Sequence, residues 1–296
     1  MSKNIDLHIH TCASSDGNIS PEAIVDSALA LGLCAIAITD HNTTAGTIKA
    51  ETYMAENAIV GLELISGIEL DCQHEGTNLH LLGYFIDAHM AQFEQHARDM
   101  YDVELAAGIE ARAKIERFFG IALDDGIFTG ELITAEAIAE ELLLNPQYNH
   151  LKLLDPYRMG GSRSDNPYVN FYWDYCSQGK VAYSEMALID LSRAIEMIES
   201  AGGIPVLAHP GINIHEDEAL LGQIVRAGIK GIEAISSYHS KAQVAFYREA
   251  AQKWGLAVTC GSDFHGKIKP AIQLGHFDAK FDAEALLTSL RRVTRW

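Results

Sequence analysis

His8 and His10 lie two residues apart in a stretch where Ile5, Leu7 and Ile9 alternate with Asp6, His8 and His10. A period of two reads as a β-strand, and its polar side carries both imidazoles on one face, as two ligands of one metal ion require. Other ionisable residues fall where apolar strands end. Asp40-His41 follows CAIAIT, Glu69 closes an extended segment at 64–70 after Gly67, His209-Pro210 ends IPVLAH, and Asp263-Phe264-His265 ends LAVTCGSD. His80, in NLHLLGYF, and Asp16, in the loop after His10, complete a set of six histidines and, besides Asp40, three carboxylates. Each of these taken alone reads as a capping or surface group. Gathered on one rim without a cation they would be costly, because burial penalises charge and like charges repel. A nitrogen and oxygen donor set without thiolate suits Zn, Mn or Fe and disfavours Cu(I) or iron–sulfur clusters.

The elements that must position these residues alternate along the chain. Ser20 is an N-cap before Pro21, with Ile24, Ala28 and Leu31 at helical spacing and Gly32 as the stop. Helices are expected at 45–56, around Leu188, Leu191, Ile195 and Ile198, at 242–254 and at 283–292, with strands at 78–86, 204–209, 231–235 and 256–263. Such alternation implies mostly parallel pairing, in a barrel or a doubly wound sheet, with active sites at the carboxyl ends of the strands. From about 90 to 180 the pattern breaks into a long helical stretch, Phe93 to Phe119, and a turn-rich part with Asn145-Pro146, Gly160-Gly161 and Asn166-Pro167. This predicts an inserted, mainly helical cap subdomain at 90–179, with a mobile turn-rich segment, between barrel parts at 1–89 and 180–296.

Composition narrows the function classes. The 296 residues are 48% hydrophobic and 21% charged, enough for a sizeable core. Lys+Arg of 22 against Asp+Glu of 40 gives a formal charge of −18, which opposes nonspecific binding to nucleic acid or anionic membrane. The five cysteines include no CxxC pair, so neither a disulfide framework nor a thiolate zinc ribbon is indicated. With no signal-type segment and no apolar run that spans a bilayer, a cytoplasmic protein is expected.

The segments DLHIHT with SSDG (6–17), ITDHNT (38–43), GIEL (67–70), HLLGYF (80–85), LAHPG (207–211) and GSDFHG (261–266), as an ordered set, resemble the polymerase-and-histidinol-phosphatase (PHP) superfamily. The likeness covers residues 3–89 and 180–276. It implies an α/β fold, a distorted (β/α)7 TIM-like barrel, with two to three divalent ions (Mn, Zn or Fe). In that pattern His8, His10, Glu69 and Asp263 hold one ion, Glu69, His80 and His209 a second, and Asp16, His41 and His265 a third, with Glu69 as the bridge. Some members carry His where this chain has Asp16, a departure that alters the third ion's charge balance. Asp40 is expected behind the ligands, orienting an imidazole.

Ions about 3.5 to 4 Å apart can acidify a bridging water and aim it at phosphorus. The expected reaction is therefore hydrolysis of a small phosphomonoester or cyclic phosphodiester by a metal-bridging hydroxide, with Glu69 at the bridge and Asp263 or His265 passing protons. Arg158 and Arg163, flanking Met159-Gly160-Gly161, are candidates for the phosphate. Lys180 in GKVAY and His239 in SSYHS join them by family resemblance. The insertion is expected to cover the metal rim and set substrate size. Alternatives are an amidohydrolase-like deaminase or amidase, a DNA 3′-5′ exonuclease, and a noncatalytic metal-binding module; the small-molecule phosphate ester is preferred over a nucleic acid polymer, and the sequence leaves the oligomeric state open.

Overall fold

The structure is a computed structural model that describes residues 4–124 and 132–293. The remaining residues of the expected domain ranges lie outside this description. In chain order the elements are β1 (Asn4–Ile9), α1 (Pro21–Ala30), β2 (Leu33–Ile38), α2 (Ala45–Glu56), β3 (Glu63–His74), β4 (Thr77–Tyr84), α3 (Ala91–Phe119), α4 (Ala135–Leu144) and α5 (Pro167–Phe171). There follow β5 (Ile189–Asp190), α6 (Leu191–Ser200), β6 (Ile204–Leu207), α7 (Pro210–Asn213), α8 (Glu218–Ala227), β7 (Gly231–Ser236), α9 (Lys241–Trp254), β8 (Ala257–Gly261) and α10 (Ala283–Val293). The local signals act as expected at α1, where the Ser20 side chain accepts from the Ala23 N–H and Pro21 opens the helix. Among the described residues no helix is long and apolar enough to cross a membrane.

The first compact unit comprises Met1–His96, Leu188–Phe264 and Ile272–Trp296. Its sheet runs β1-β2-β3-β4-β6-β7-β8, with the short β5 beside β3. The sheet nearly closes into a seven-stranded barrel, because the His10 N–H donates to the Phe264 carbonyl and the Asp263 N–H to the His8 carbonyl, each at 2.9 Å. Helices cover the outer faces. Ile9, Ile36 and Ile38 pack with Ile24, Val25 and Ala28 of α1, and Ile68, Leu81 and Ile232 pack with Leu191 and Ile198 of α6 and Leu221 and Ile224 of α8. Each such fully buried side chain stabilises by about 1.5–3 kcal/mol.

The expectation of mostly parallel pairing holds except around β4, which is antiparallel to both β3 and β6. The reason is the two-residue link Glu75-Gly76, both with positive φ (49° and 79°), which reverses the chain into a hairpin and leaves no room for a crossover helix.

The second unit comprises Ala97–Ala187 and His265–Ala271 and has its own core around Ile115, Ile138, Leu142, Tyr148 and Phe171. Its limits differ from the expected 90–179. Phe93, at the start of α3, belongs to the barrel core, and Ala182 packs in the second core. The Leu188 carbonyl accepts from Gln73, just before β5 joins β3. The segment 265–271 joins the second unit through Lys267–Glu140 at 3.0 Å and the Ala271 N–H to Asn166 at 2.9 Å.

Gly261 shows how closely the strands must approach. A Cβ there would lie 2.1 Å from His8 Cβ and 2.2 Å from Glu233 Oε1, both on packed strands. Gly261→Ala is therefore expected to destabilise the chain by about 3 kcal/mol, the upper range for overpacking. Denaturant titration checks this, and an unchanged midpoint would contradict it.

Candidate metal centre

The site is built around Glu69, which follows Gly67 on β3 and is wholly buried. Five imidazoles surround its carboxylate. Oε2 faces His8 Nε2 at 3.0 Å, His10 Nε2 at 3.1 Å and His41 Nε2 at 3.4 Å. Oε1 faces His80 Nδ1 at 3.0 Å and His209 Nε2 at 3.3 Å. Asp263 approaches from the opposite side, with Oδ1 at 3.3 Å from His8 Nε2 and 3.1 Å from His10 Nε2. The potential ligand atoms of His8, His10, Glu69 and Asp263 lie within 4.8 Å of one another, and so do those of His41, Glu69 and His80. Asp16 lies beside this cluster, 3.6 Å from His41 Nε2 and 3.9 Å from His10 Nδ1.

Why these side chains converge follows from the strands. On β1 the period of two puts His8 and His10 on one side, with their Nε2 atoms 3.1 Å apart. At the ends of β6 and β8 the chain leaves the sheet through positive φ at His209 (21°) and Asp263 (59°), conformations that L-residues seldom adopt and that cluster at functional sites. His80 arrives differently, from the middle of the antiparallel β4, paired across from Asp71.

Groups behind the imidazoles fix which ring nitrogen faces inward. His8 Nδ1 donates to Glu233 Oε1 at 3.0 Å, His41 Nδ1 to Asp71 Oδ1 at 3.0 Å, and His209 Nδ1 to Asn213 Oδ1 at 3.0 Å. In all three, Nε2 is left pointing towards Glu69. Tyr238 donates its hydroxyl to Asp263 Oδ2 at 2.5 Å. Nitrogen and oxygen donors directed at shared points, with their far sides already hydrogen-bonded, match the donor chemistry of divalent cation sites. Glu233, Asp71 and Tyr238 went unrecognised in the sequence. Asp71 was within reach, since it stands two residues after Glu69 and therefore on the same face of β3.

Electrostatics give the same picture. Burial opposes a charge on His8 and His41, but surrounding carboxylates outweigh it and raise both well above the usual 6.5. His10 is raised as well, by Asp263 and Glu69 against its burial. Burial pushes Glu69 up, yet His8, His41 and His80 overcome this and hold it well below its usual value. Asp71, likewise opposed by burial, is pulled down to about 2 by His41. In the metal-free cluster the neighbouring carboxylates thus favour the protonated form of His8, His10 and His41, whereas ligation needs neutral imidazole. Metal uptake at pH 7 is expected to release protons, and metal affinity to rise with pH. Calorimetric titration in buffers of different ionisation enthalpy checks this; identical heats would contradict it.

Asp40, His239, Arg158 and Arg163 make contacts of their own. Asp40 accepts from the Thr11 N–H at 2.6 Å and the Thr11 hydroxyl at 2.8 Å, so it fastens the loop after β1. His239 holds a turn: Nδ1 donates to the Ala234 carbonyl and Nε2 accepts from the Gly211 N–H, each at 3.0 Å. Within the second unit, Arg158 donates to the Tyr148 carbonyl and Asp155, and Arg163 forms a two-pronged pair with Asp174. Both guanidinium groups have partners within their own surroundings. Lys180 is exposed, and His265, buried, opens the segment 265–271 of the second unit.

Comparison with known proteins places this geometry in context. Residues 6–219 match the PHP domain. The chain is 30% identical to a 5′-3′ exoribonuclease of Haemophilus influenzae over 274 residues, covering 90% of this chain and 91% of that protein. It is 28% identical to a 3′,5′-nucleoside bisphosphate phosphatase of Chromobacterium violaceum over 276 residues, covering 92% of this chain and 91% of the other. A solved structure from Bifidobacterium adolescentis, described as a candidate metal-dependent phosphoesterase, superposes with a TM-score of 0.75 at 26% identity, covering 98% of this chain and 97% of that one.

Proposed function

The chain belongs to the PHP domain family, and on that premise we propose that it is a metal-dependent phosphoesterase acting on a small phosphorylated metabolite or nucleotide. Its substrates are phosphomonoesters or cyclic phosphodiesters, with nucleoside bisphosphates first among them because a relative matched along nearly the whole chain is named for that activity. The observation that carries the reading is the buried Glu69 carboxylate with imidazoles facing each of its oxygens, three at Oε2 and two at Oε1.

Two to three ions, Mn, Zn or Fe, would be held by His8, His10, Glu69 and Asp263, by Glu69, His80 and His209, and by Asp16, His41 and His265. Bound ions supply Lewis-acid polarisation of the phosphoryl oxygens and a water acidic enough to ionise near neutrality. The chain's own residues do the rest. Glu69 offers one oxygen to each neighbouring set and holds their spacing. Asp263 turns Oδ1 towards the His8 and His10 set, and its Oδ2, hydrogen-bonded to Tyr238, is the oxygen that would pass a proton, with His265 as the second proton carrier. Lys180 is the proposed cation for the phosphate.

The exoribonuclease relative favours a second reading, in which the scissile ester is the terminal phosphodiester of a short RNA. The charge of −18 weighs against a firm grip on a polymer. One experiment separates them: phosphate and nucleotide release from nucleoside 3′,5′-bisphosphates, cyclic phosphodiesters, sugar phosphates and 5′-phosphorylated RNA oligonucleotides, with Mn²⁺ or Zn²⁺ present. Turnover of bisphosphates without oligonucleotide shortening is the expected result. Stepwise shortening from the 5′ end would favour RNA, and no turnover of any phosphorus ester would overturn the proposal.

A further inference from the structure

We infer that Glu233 is a positioning residue that fixes one ligand in each of two metal sets and so couples their occupancy; this rests on the metal-centre reading above. Glu233 is the third residue of β7, wholly buried, flanked by Ile232 and Ala234 in the strand GIEAIS. Its two oxygens go to different strands. Oε1 lies 3.0 Å from His8 Nδ1, on β1, and Oε2 accepts from the His209 N–H at 2.9 Å, just past β6. No lysine or arginine pairs with it among the described residues. A buried carboxylate without such a partner is expensive, and packing alone would be served better by an apolar side chain.

What the carboxylate supplies is specific to ligation. A carboxylate can only accept, so it keeps the proton of His8 on Nδ1 and leaves Nε2 as the donor atom, with its electron density strengthened by the negative charge behind the ring. At His209 it anchors the N–H of a residue whose φ of 21° is otherwise unfavourable. That anchor holds the turn in which Nε2 of His209 faces Glu69 Oε1 at 3.3 Å. His8 belongs to the set at Glu69 Oε2 and His209 to the set at Oε1. His41, in the third set, is steadied by Asp71.

The test uses the full chain and Zn²⁺ as the probe. Equilibrium dialysis with elemental analysis gives Zn²⁺ stoichiometry and affinity for the natural chain and for Glu233→Gln, and long-range ¹H–¹⁵N NMR of the Zn²⁺-loaded natural chain gives the His8 tautomer. Glu233→Gln is expected to weaken two of the Zn²⁺ ions together by about ten- to a hundredfold, leaving the ion at Asp16 and His41 at its original affinity. His8 of the natural chain is expected to carry its proton on Nδ1. Equal stoichiometry and affinities in the variant would overturn the inference, as would loss of all ions to the same degree or a proton on His8 Nε2. If Glu233→Gln does not fold, the tautomer in the natural chain decides alone. A natural chain that binds no Zn²⁺ would instead overturn the metal-centre reading itself, and the inference with it.

Discussion

Glu69→Gln is expected to lower kcat/KM for phosphoester hydrolysis by at least about a thousandfold, roughly 4 kcal/mol of transition-state stabilisation. The substitution is nearly isosteric, so its effect is chemical. One carboxylate oxygen becomes an amide NH2, which cannot ligate a cation and would face either the imidazoles at Oε2 or those at Oε1. The negative charge shared by both sets also disappears. Steady-state kinetics with metal analysis of the purified variant measures both consequences. Activity within tenfold of the natural chain, with full metal content, would contradict the bridging role.

Removal of the ions with a chelator is expected to abolish turnover and lower the melting temperature, with Mn²⁺ or Zn²⁺ restoring both. An ion present at a hundred times its dissociation constant stabilises by about 2.7 kcal/mol. In a chain of this size each kcal/mol moves the melting temperature by about 2–4 °C, so each ion lost lowers it by roughly 5–10 °C. The stripped protein is expected to stay folded, because His8 and His41, raised by the carboxylates around them, remain partners of Glu69, Glu233 and Asp71.

The pH dependence of the stripped form follows with definite sign. His8, His10 and His41 have raised values in the folded chain, so their contribution is complete below about 6.5 and is lost as pH rises through those raised values. Glu69 and Asp71 are lowered, so theirs is present above the usual carboxylate range and is lost as pH falls through the lowered values. Melting curves in chelator should therefore weaken towards alkaline pH, while the loaded form resists the same rise. Turnover that survives complete removal of metal would refute the metal dependence.

Much of the architecture was legible because local signals and global pattern agree. The alternation of Ile5, Leu7 and Ile9 with the polar positions of β1, the Ser20-Pro21 start of α1 and the Gly202-Gly203 end of α6 each identify an element by mechanism. The β3–β4 hairpin was not read, since Glu75-Gly76 is a subtle turn in a segment whose helix-free length was the only warning. Glu233 was hidden for another reason. Nothing in GIEAIS says which strand its carboxylate will meet, although a charge within an apolar strand must find a partner. Arg158 and Arg163 carried the right chemistry for phosphate, but sequence adjacency to glycines could not reveal Asp155 and Asp174 as their partners.

The antiparallel course of β4 gives the cation cluster a front and a back. His8 and Glu69 have no exposed side-chain surface, whereas the side chain of His80, entering sideways from the hairpin, is 31% exposed. Water and an arriving anion are therefore expected to meet the His80 flank first, and an ion bound there would exchange with the medium sooner than one at the floor beside His8. The hairpin thus sets the direction of traffic through the site as well as supplying one of its imidazoles.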